Sequence, residues 1–425
     1  MDGMLKSGTI MVSESRNRYK VIKLLGSGGQ GEVYEVTGDN DRFALKWYFP
    51  KTATTRQKGI LEKLLIKGSP SPAFLWPEDI ITNGKSGSLG YIMKLRPKGF
   101  YSIDDLMNRK AEPTFEMLCR AAFNLTLGFQ KLHKQGYSYH DISFGNVFFN
   151  PENGSILICD NDNVTVSGDN ISTIRGTPRF MAPEIVIGEA KPSRNTDLYS
   201  LAVLIFYMLM LHHPLEGKQE ADIKCLDIFA MTKIYGKNPI FIFDPVDDSN
   251  RPVPGYQNYP ITYWQIYPQF IKDLFIKSFT TGLFETNRRV TEKQWLDGIS
   301  ALMFQIIPCL SCKAEVFYSV GKCWACGSEI PKPSLLKVDK RLVALYPKLK
   351  IYSHLINDDY DLNTVIAMVV RNPKNPDLLG IRNDTNQSWD YTKKDGETVP
   401  LAPGKSAAIK QGARFDFGNK FGEII

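Results

Sequence analysis

The chain has 425 residues, too many for one core of ordinary domain size, so two or three units are expected. With 43% hydrophobic and 23% charged residues it has the balance of a globular protein, not of a disordered or fibrous one. The net charge of +7 is mild and no dense Lys/Arg block occurs, which argues against direct nucleic-acid binding. The opening stretch "MDGMLKSGTIMVSESRNRYK" lacks the apolar run of a secretory signal. Cys119, Cys159 and Cys225 lie in apolar settings and read as reduced core thiols, and a reducing cytoplasm is expected.

Along the chain, β-rich pieces are predicted at Tyr19 to Leu25, Glu32 to Val36 and Phe43 to Tyr48, with "TGDND" as a turn. Between the first two, Gly26, Gly28 and Gly31 form G-x-G-x-x-G, a weak signal alone because a dinucleotide-binding turn uses the same glycines. A dinucleotide fold would open a helix at the third glycine. "EVYEV" is strand-like instead, so the loop belongs to a hairpin whose backbone N–H groups can lie over phosphates. Lys46 in "FALKWY" follows Ala44 and Leu45 in a run that reads as buried, and a lysine there needs an anionic partner. Glu62, in the helical stretch "RQKGILEKLLIKG", is assigned that role because Ile60, Leu61, Leu64 and Leu65 mark one apolar face.

Next come "YHDISFGNVFF" (Tyr139 to Phe149), "CDND" around Asp160, "GTPRFMAPE" (Gly176 to Glu184), "TDLYSLAV" with Asp197, and "NRRVTEKQW" with Arg289. The apolar stretch Leu201 to Leu211 is shorter than the roughly 18 residues of a membrane span and reads as a buried helix.

In this order the motifs resemble a eukaryotic-type Ser/Thr protein kinase over about residues 18 to 305. The resemblance implies an α+β, bilobal fold with an N-lobe over 18–96 and a C-lobe over 97–307, preceded by a tail over 1–17. It implies catalysis by Asp141 as proton acceptor, with Lys46, Asn146 and Asp160. ATP would be held by Gly26, Ser27, Gly28, Gly31, Val33, Ala44, Lys46, Glu62, Met93, Asn146 and Asp160, with Mg²⁺ (or Mn²⁺) on Asn146 and Asp160. Arg289 resembles the partner of the A-P-E glutamate, Glu184. Ser/Thr specificity is implied by "GTPRFMAPE"; small-molecule kinases share the aspartate and asparagine but not that segment.

The departures bear on mechanism. His140 replaces an arginine that grips a phosphate in the family, so activation without activation-segment phosphorylation is expected, with Thr165, Ser167, Ser172, Thr173 and Thr177 replaceable by alanine and Thr177 the expected exception through a contact with Asp141. Asn161 and Asp162 replace Phe and Gly, and Tyr139 replaces a His; a more polar central column and a metal segment locked in one state are expected. Ser143 stands where Ser/Thr kinases carry a lysine near the transferred phosphate. The rival reading is a pseudokinase, an ATP-holding scaffold without transfer.

Beyond Pro308, Cys309, Cys312, Cys323 and Cys326 form two C-x-x-C knuckles suited to a structural Zn²⁺ site, a ribbon over 308–330 with "AEVFYSVG" as its hairpin. Two disulfides or a redox pair are the competing readings. "PKPSLLKVDKRL" reads as a linker over 331–343, and 344–425, with "KKDGE" as a hairpin turn, reads as a small antiparallel β-sandwich-like docking module. It resembles a forkhead-associated domain, without its phosphothreonine-reading residues. The whole layout is similar to bacterial kinases that accompany a von Willebrand A protein and a metal-dependent phosphatase in tellurite-resistance-associated gene groups, which implies a protein substrate within such a set.

Overall fold

The structure, a computed structural model, describes residues 3–39, 41–83, 87–166 and 177–425. The chain divides into two units: Met1–Pro113 with Arg120–Ile261 and Leu274–Trp295, and Thr114–Cys119 with Thr262–Asp273 and Leu296–Ile425.

The first unit begins with an antiparallel sheet of β1 (Ile10–Val12), β2 (Arg18–Ser27), β3 (Gly31–Gly38), β4 (Asp41–Tyr48), β5 (Asp79–Asn83) and β6 (Ser88–Lys94), ordered β1-β2-β3-β4-β6-β5. β3 and β4 pair without a bulge from Gly31↔Tyr48 to Gly38↔Asp41, which sets Val33 opposite Lys46. Helix α1 (Thr55–Lys67) starts where the Thr54 side chain accepts from the Gln57 N–H and stops at Gly68, whose φ is +74°. Leu61 and Leu64 are its buried residues, and Leu61 joins Tyr48, Ile80 and Tyr91 in one core.

The chain then crosses β7 (Tyr101–Ser102), α2 (Ile103–Met107), α3 (Phe115–Lys134), β8 (Tyr137–Ser138), β9 (Val147–Phe149), β10 (Ile156–Ile158), β11 (Thr165–Val166) and α4 (Pro183–Val186). Strands β7, β9 and β10 form one small sheet, and β8 pairs with β11. Helix α5 (Arg194–Met210) is capped by a reciprocal Ser193/Thr196 pair and is buried from Thr196 to Met210. The apolar stretch from Leu201 is therefore the inside of a folded unit, with Phe206 packed edge-on against Phe275 at 5.0 Å and Phe279 at 5.8 Å. Helices α6 (Lys218–Ala221), α7 (Ile228–Thr232), α8 (Asn258–Ile266), α9 (Gln269–Phe279), α10 (Thr281–Phe284) and α11 (Glu292–Met303) follow. Among the described residues no helix is long and apolar enough to cross a membrane.

In the second unit β12 (Ile306–Pro308) pairs with β13 (Glu315–Phe317), so the expected hairpin lies earlier than "AEVFYSVG" and carries the first cysteine knuckle at its turn. The boundary between 307 and 308 falls inside β12. The stretch 331–343 is not a linker. It contains β14 (Leu335–Val338) and most of β15 (Arg341–Ala344), because Leu336, Val338 and Val343 are buried in the C-terminal core. Then come β16 (Lys350–Tyr352), α12 (His354–Asn357), β17 (Val365–Arg371), β18 (Leu379–Asn383), β19 (Trp389–Thr392), β20 (Thr398–Leu401), β21 (Ser406–Ala408), β22 (Arg414–Asp416) and β23 (Phe421–Ile424). They form a six-stranded sheet, β15-β14-β23-β22-β19-β20, and a four-stranded one, β16-β17-β18-β21. Side chains of both sheets, including Leu336, Val369, Ile381, Tyr391 and Phe415, share one core.

Candidate active site

A cavity of about 600 Å³ opens in the first unit, lined by the glycine loop from Gly26 to Gly31, by Val33, Ala44, Lys46 and Met93, and by Asp141, Asn146 and Asp160. Of the loop glycines, Gly31 is required by packing: a Cβ there would stand 2.2 Å from the Trp47 carbonyl oxygen, whereas Gly26 and Gly28 face open space. Those two leave the backbone free to approach a ligand.

Asp141 and Asn146 belong to the turn between β8 and β9. That turn is held from beneath by Asp197, whose carboxylate accepts from the Tyr139 N–H at 2.7 Å and the His140 N–H at 3.3 Å. His140 takes a left-handed φ of 69°. Asn146 donates to the Asp141 carbonyl at 2.9 Å, and its own carbonyl accepts from the Cys159 N–H at 2.8 Å, which ties the turn to the segment bearing Asp160. The Thr177 hydroxyl donates to Asp141 at 3.2 Å. Further along, Arg289 makes a bidentate pair with Glu184, both contacts 2.8 Å. Ser167, Ser172, Thr173 and Gly176 lie outside the described residues.

Lys46 is buried and its ammonium donates to both oxygens of Asp162, at 3.0 and 2.9 Å, to Gln30 Oε1 at 3.0 Å, and to Asp160 at 3.4 Å. Burial would lower its pKa, but Asp162 and then Asp160 outweigh that and hold it above the ordinary lysine value. Burial likewise pushes the Asp160 carboxyl up against the pull of Lys46. The partner expected from the helix is absent. Glu62 has a side chain 48% exposed and pairs with Lys58 at 3.4 Å. The reason is helical phase: Leu61 and Leu64 face inward, and the residue one turn before them on that face is Gln57. Gln57 donates to the Tyr48 hydroxyl at 3.1 Å and to the Asp162 carbonyl at 3.2 Å.

Gln30 and Asp162 were not singled out from the sequence as site residues. The signal was present in "CDND", where a second acid replaces a residue with no side chain. The polar column also has its explanation here. Asn161 is buried and donates to the Leu75 carbonyl at 2.8 Å and the Ile158 carbonyl at 3.0 Å, and the Tyr139 hydroxyl donates to the Cys159 carbonyl.

The four paired cysteines meet in the second unit, with all sulfurs within 4.8 Å of one another. Cys309 and Cys326 are 3.8 Å apart, Cys312 and Cys323 3.6 Å. Those gaps exceed a covalent S–S bond and match the edge of a tetrahedron with about 2.3 Å metal–sulfur bonds.

The protein kinase domain family model matches residues 19–287, more than half of the chain. Among curated proteins, the chain is 27% identical over 208 residues to the probable serine/threonine-protein kinase CCRP1 of Zea mays, covering 47% of this chain and 32% of that protein. It is 23% identical over 319 residues to protein kinase YegI of Escherichia coli, covering 69% of this chain and 46% of that one. It is 29% identical over 218 residues to the protein kinase C delta type of Rattus norvegicus, covering 47% and 30%. The chain thus spans less than half the length of each of these relatives. On the strength of the family match and the cavity that gathers its motifs, this chain belongs to the protein kinase domain family.

Proposed function

We propose that the chain is an ATP-dependent serine/threonine protein kinase that moves the γ-phosphoryl group of ATP to a protein hydroxyl. The observation that carries this reading is the convergence of an ammonium, a carboxylate, a carboxamide and a second carboxylate on one cavity: Lys46, Asp160, Asn146 and Asp141. In it, the substrate oxygen attacks the γ-phosphorus while the bond to the bridging oxygen of ADP breaks, and the hydroxyl proton passes to Asp141. Lys46 and the loop amides bind phosphate oxygens. Asp160 and Asn146 are hard oxygen donors and would hold Mg²⁺ (or Mn²⁺), which when bound supplies neutralisation of phosphate charge.

Independence from activation-segment phosphorylation is supported by His140. Its ring contacts the Ser138 hydroxyl at 2.7 Å and the Thr165 hydroxyl at 2.9 Å, and burial lowers its pKa, so it is a neutral ring already engaged and no phosphate grip. Replacing Thr165, Ser167, Ser172, Thr173 and Thr177 together by alanine should leave ATP turnover in place. Loss of turnover in the folded protein refutes this, and Thr177, which touches Asp141, would then be restored first.

The rival, an ATP-holding scaffold, is favoured by Ser143 alone. Incubation with labelled ATP, Mg²⁺ and a generic basic protein decides: Asp141→Asn should cut transfer by about 100-fold or more. Equal label with both proteins supports the scaffold. For the second unit we propose structural Zn²⁺ on the four cysteines, reduced as a cytoplasmic site allows and bound as thiolates, and a forkhead-associated-like β-sandwich that docks a partner or the kinase itself. A von Willebrand A protein and a cognate phosphatase fit as partners by the layout of the chain.

A further inference from the structure

Phosphoryl transfer of this kind needs a phosphate-binding lysine held by a carboxylate, which protein kinases take from the helix after the third strand. Helix α1 offers nothing of the sort here. Its inward position is the neutral Gln57, and Glu62 is turned to solvent against Lys58. Asp162 is wholly buried two residues after Asp160, where a bare carboxylate would be untenable. Four donor contacts converge on it: two from the Lys46 ammonium, one from the Tyr48 hydroxyl and one from the Tyr91 hydroxyl at 3.3 Å. Lys46 and Tyr48 come from β4 and Tyr91 from β6, so two neighbouring strands of the sheet direct donors at this one side chain. The charge balance is also informative. Asp162 satisfies Lys46 through both oxygens, while the longer 3.4 Å contact leaves Asp160 the freer of the two carboxylates.

We propose that Asp162 is the positioning residue for Lys46, its counter-ion in place of a helix carboxylate, and that Glu62 takes no part. The proposal rests on the phosphoryl-transfer reading above. Its consequence is regulatory. The carboxylate that orients the lysine belongs to the metal-binding segment itself, so moving α1 does not unpair Lys46. Only a rearrangement of residues 160–162 does.

The test uses the full chain and reads both turnover and MgATP affinity by calorimetry. Glu62→Gln should leave kcat, KM and affinity within about twofold, as for any exposed pair. Asp162→Asn, nearly isosteric, should lower kcat by about 100-fold. In a Lys46→Met background, Asp162→Asn should change MgATP affinity by less than about twofold, because the two side chains act as one unit. A merely structural Asp162 would give additive losses, and that result overturns the proposal, as does Glu62→Gln weakening MgATP as much as Asp162→Asn. If Asp162→Asn does not fold, the folded Glu62→Gln protein decides alone: wild-type affinity supports the assignment and a loss refutes it. A chain that binds MgATP but transfers nothing refutes the kinase reading only, since the affinity cycle still decides for Asp162.

Discussion

At Gly31 one missing side chain decides how closely β3 lies on β4. Gly31→Ala should lower stability by about 1–3 kcal/mol, since its Cβ meets backbone that cannot swing away; thermal unfolding measures this. Ser143 carries the opposite kind of prediction. On the kinase reading proposed above, Ser143→Lys puts a positive charge two residues after Asp141 and should raise kcat by about tenfold, and steady-state kinetics with an unchanged Asp141 would show it. Both residues stood out in the sequence, one as the third glycine of a loop and one as a departure from a motif. Asp162 stood out as a departure too, but not as the partner of Lys46, because that role comes from Tyr48, Tyr91 and Lys46 on strands more than 70 residues away.

Among the elements, α5 is the platform on which α3, α11 and the turn bearing Asp141 meet. Asp197 on α5 supports the turn, and His133 on α3 bridges Asp197 at 3.1 Å and Glu292 on α11 at 2.5 Å, with Arg194 on the far side of Glu292. Burial would lower the His133 pKa, but Asp197 and Glu292 outweigh it and raise it. A raised folded value means that the imidazolium stabilises fully below its unfolded pKa of about 6.5, and that this is lost as pH rises through the higher folded value. Calorimetric melting temperatures should therefore fall from pH 6 to pH 9 more steeply for wild type than for His133→Gln. Glu292, itself buried, is brought down to about 2 by His133 and Arg194, so its contribution disappears only in strong acid. The Arg289–Glu184 pair joins the end of the activation segment to the turn after α10. With Arg289 only 2% exposed, Glu184→Ala would leave a buried cation unpaired. A loss of about 3–5 kcal/mol is expected in denaturant titration.

At the scale of the molecule, the knuckle region differs from the rest of its own unit. The sheets of both units bury extended apolar cores, including the one shared by the two C-terminal sheets, whereas the knuckle region has only a small cluster around Ile307, Val316 and Leu335. Metal analysis should find zinc in the purified chain, and a strong chelator should raise amide exchange over residues 306–330 while Cys312→Ser abolishes zinc retention. The sequence alone determined what depends on short spacing: the glycine loop, the aspartate and asparagine in one turn, and the two cysteine knuckles, since each is read within a few residues of itself; the pairing of Arg289 with Glu184, 105 residues apart, was implied by the resemblance of the motifs. It misjudged 331–343, where a lysine-rich surface hid Leu336 and Val338, because burial depends on what folds over a strand. Only the tertiary structure decided which carboxylate holds Lys46. Glu62 and Asp162 are equivalent as charges in a chain; helical phase turns one to water, and the packing of β4 and β6 encloses the other.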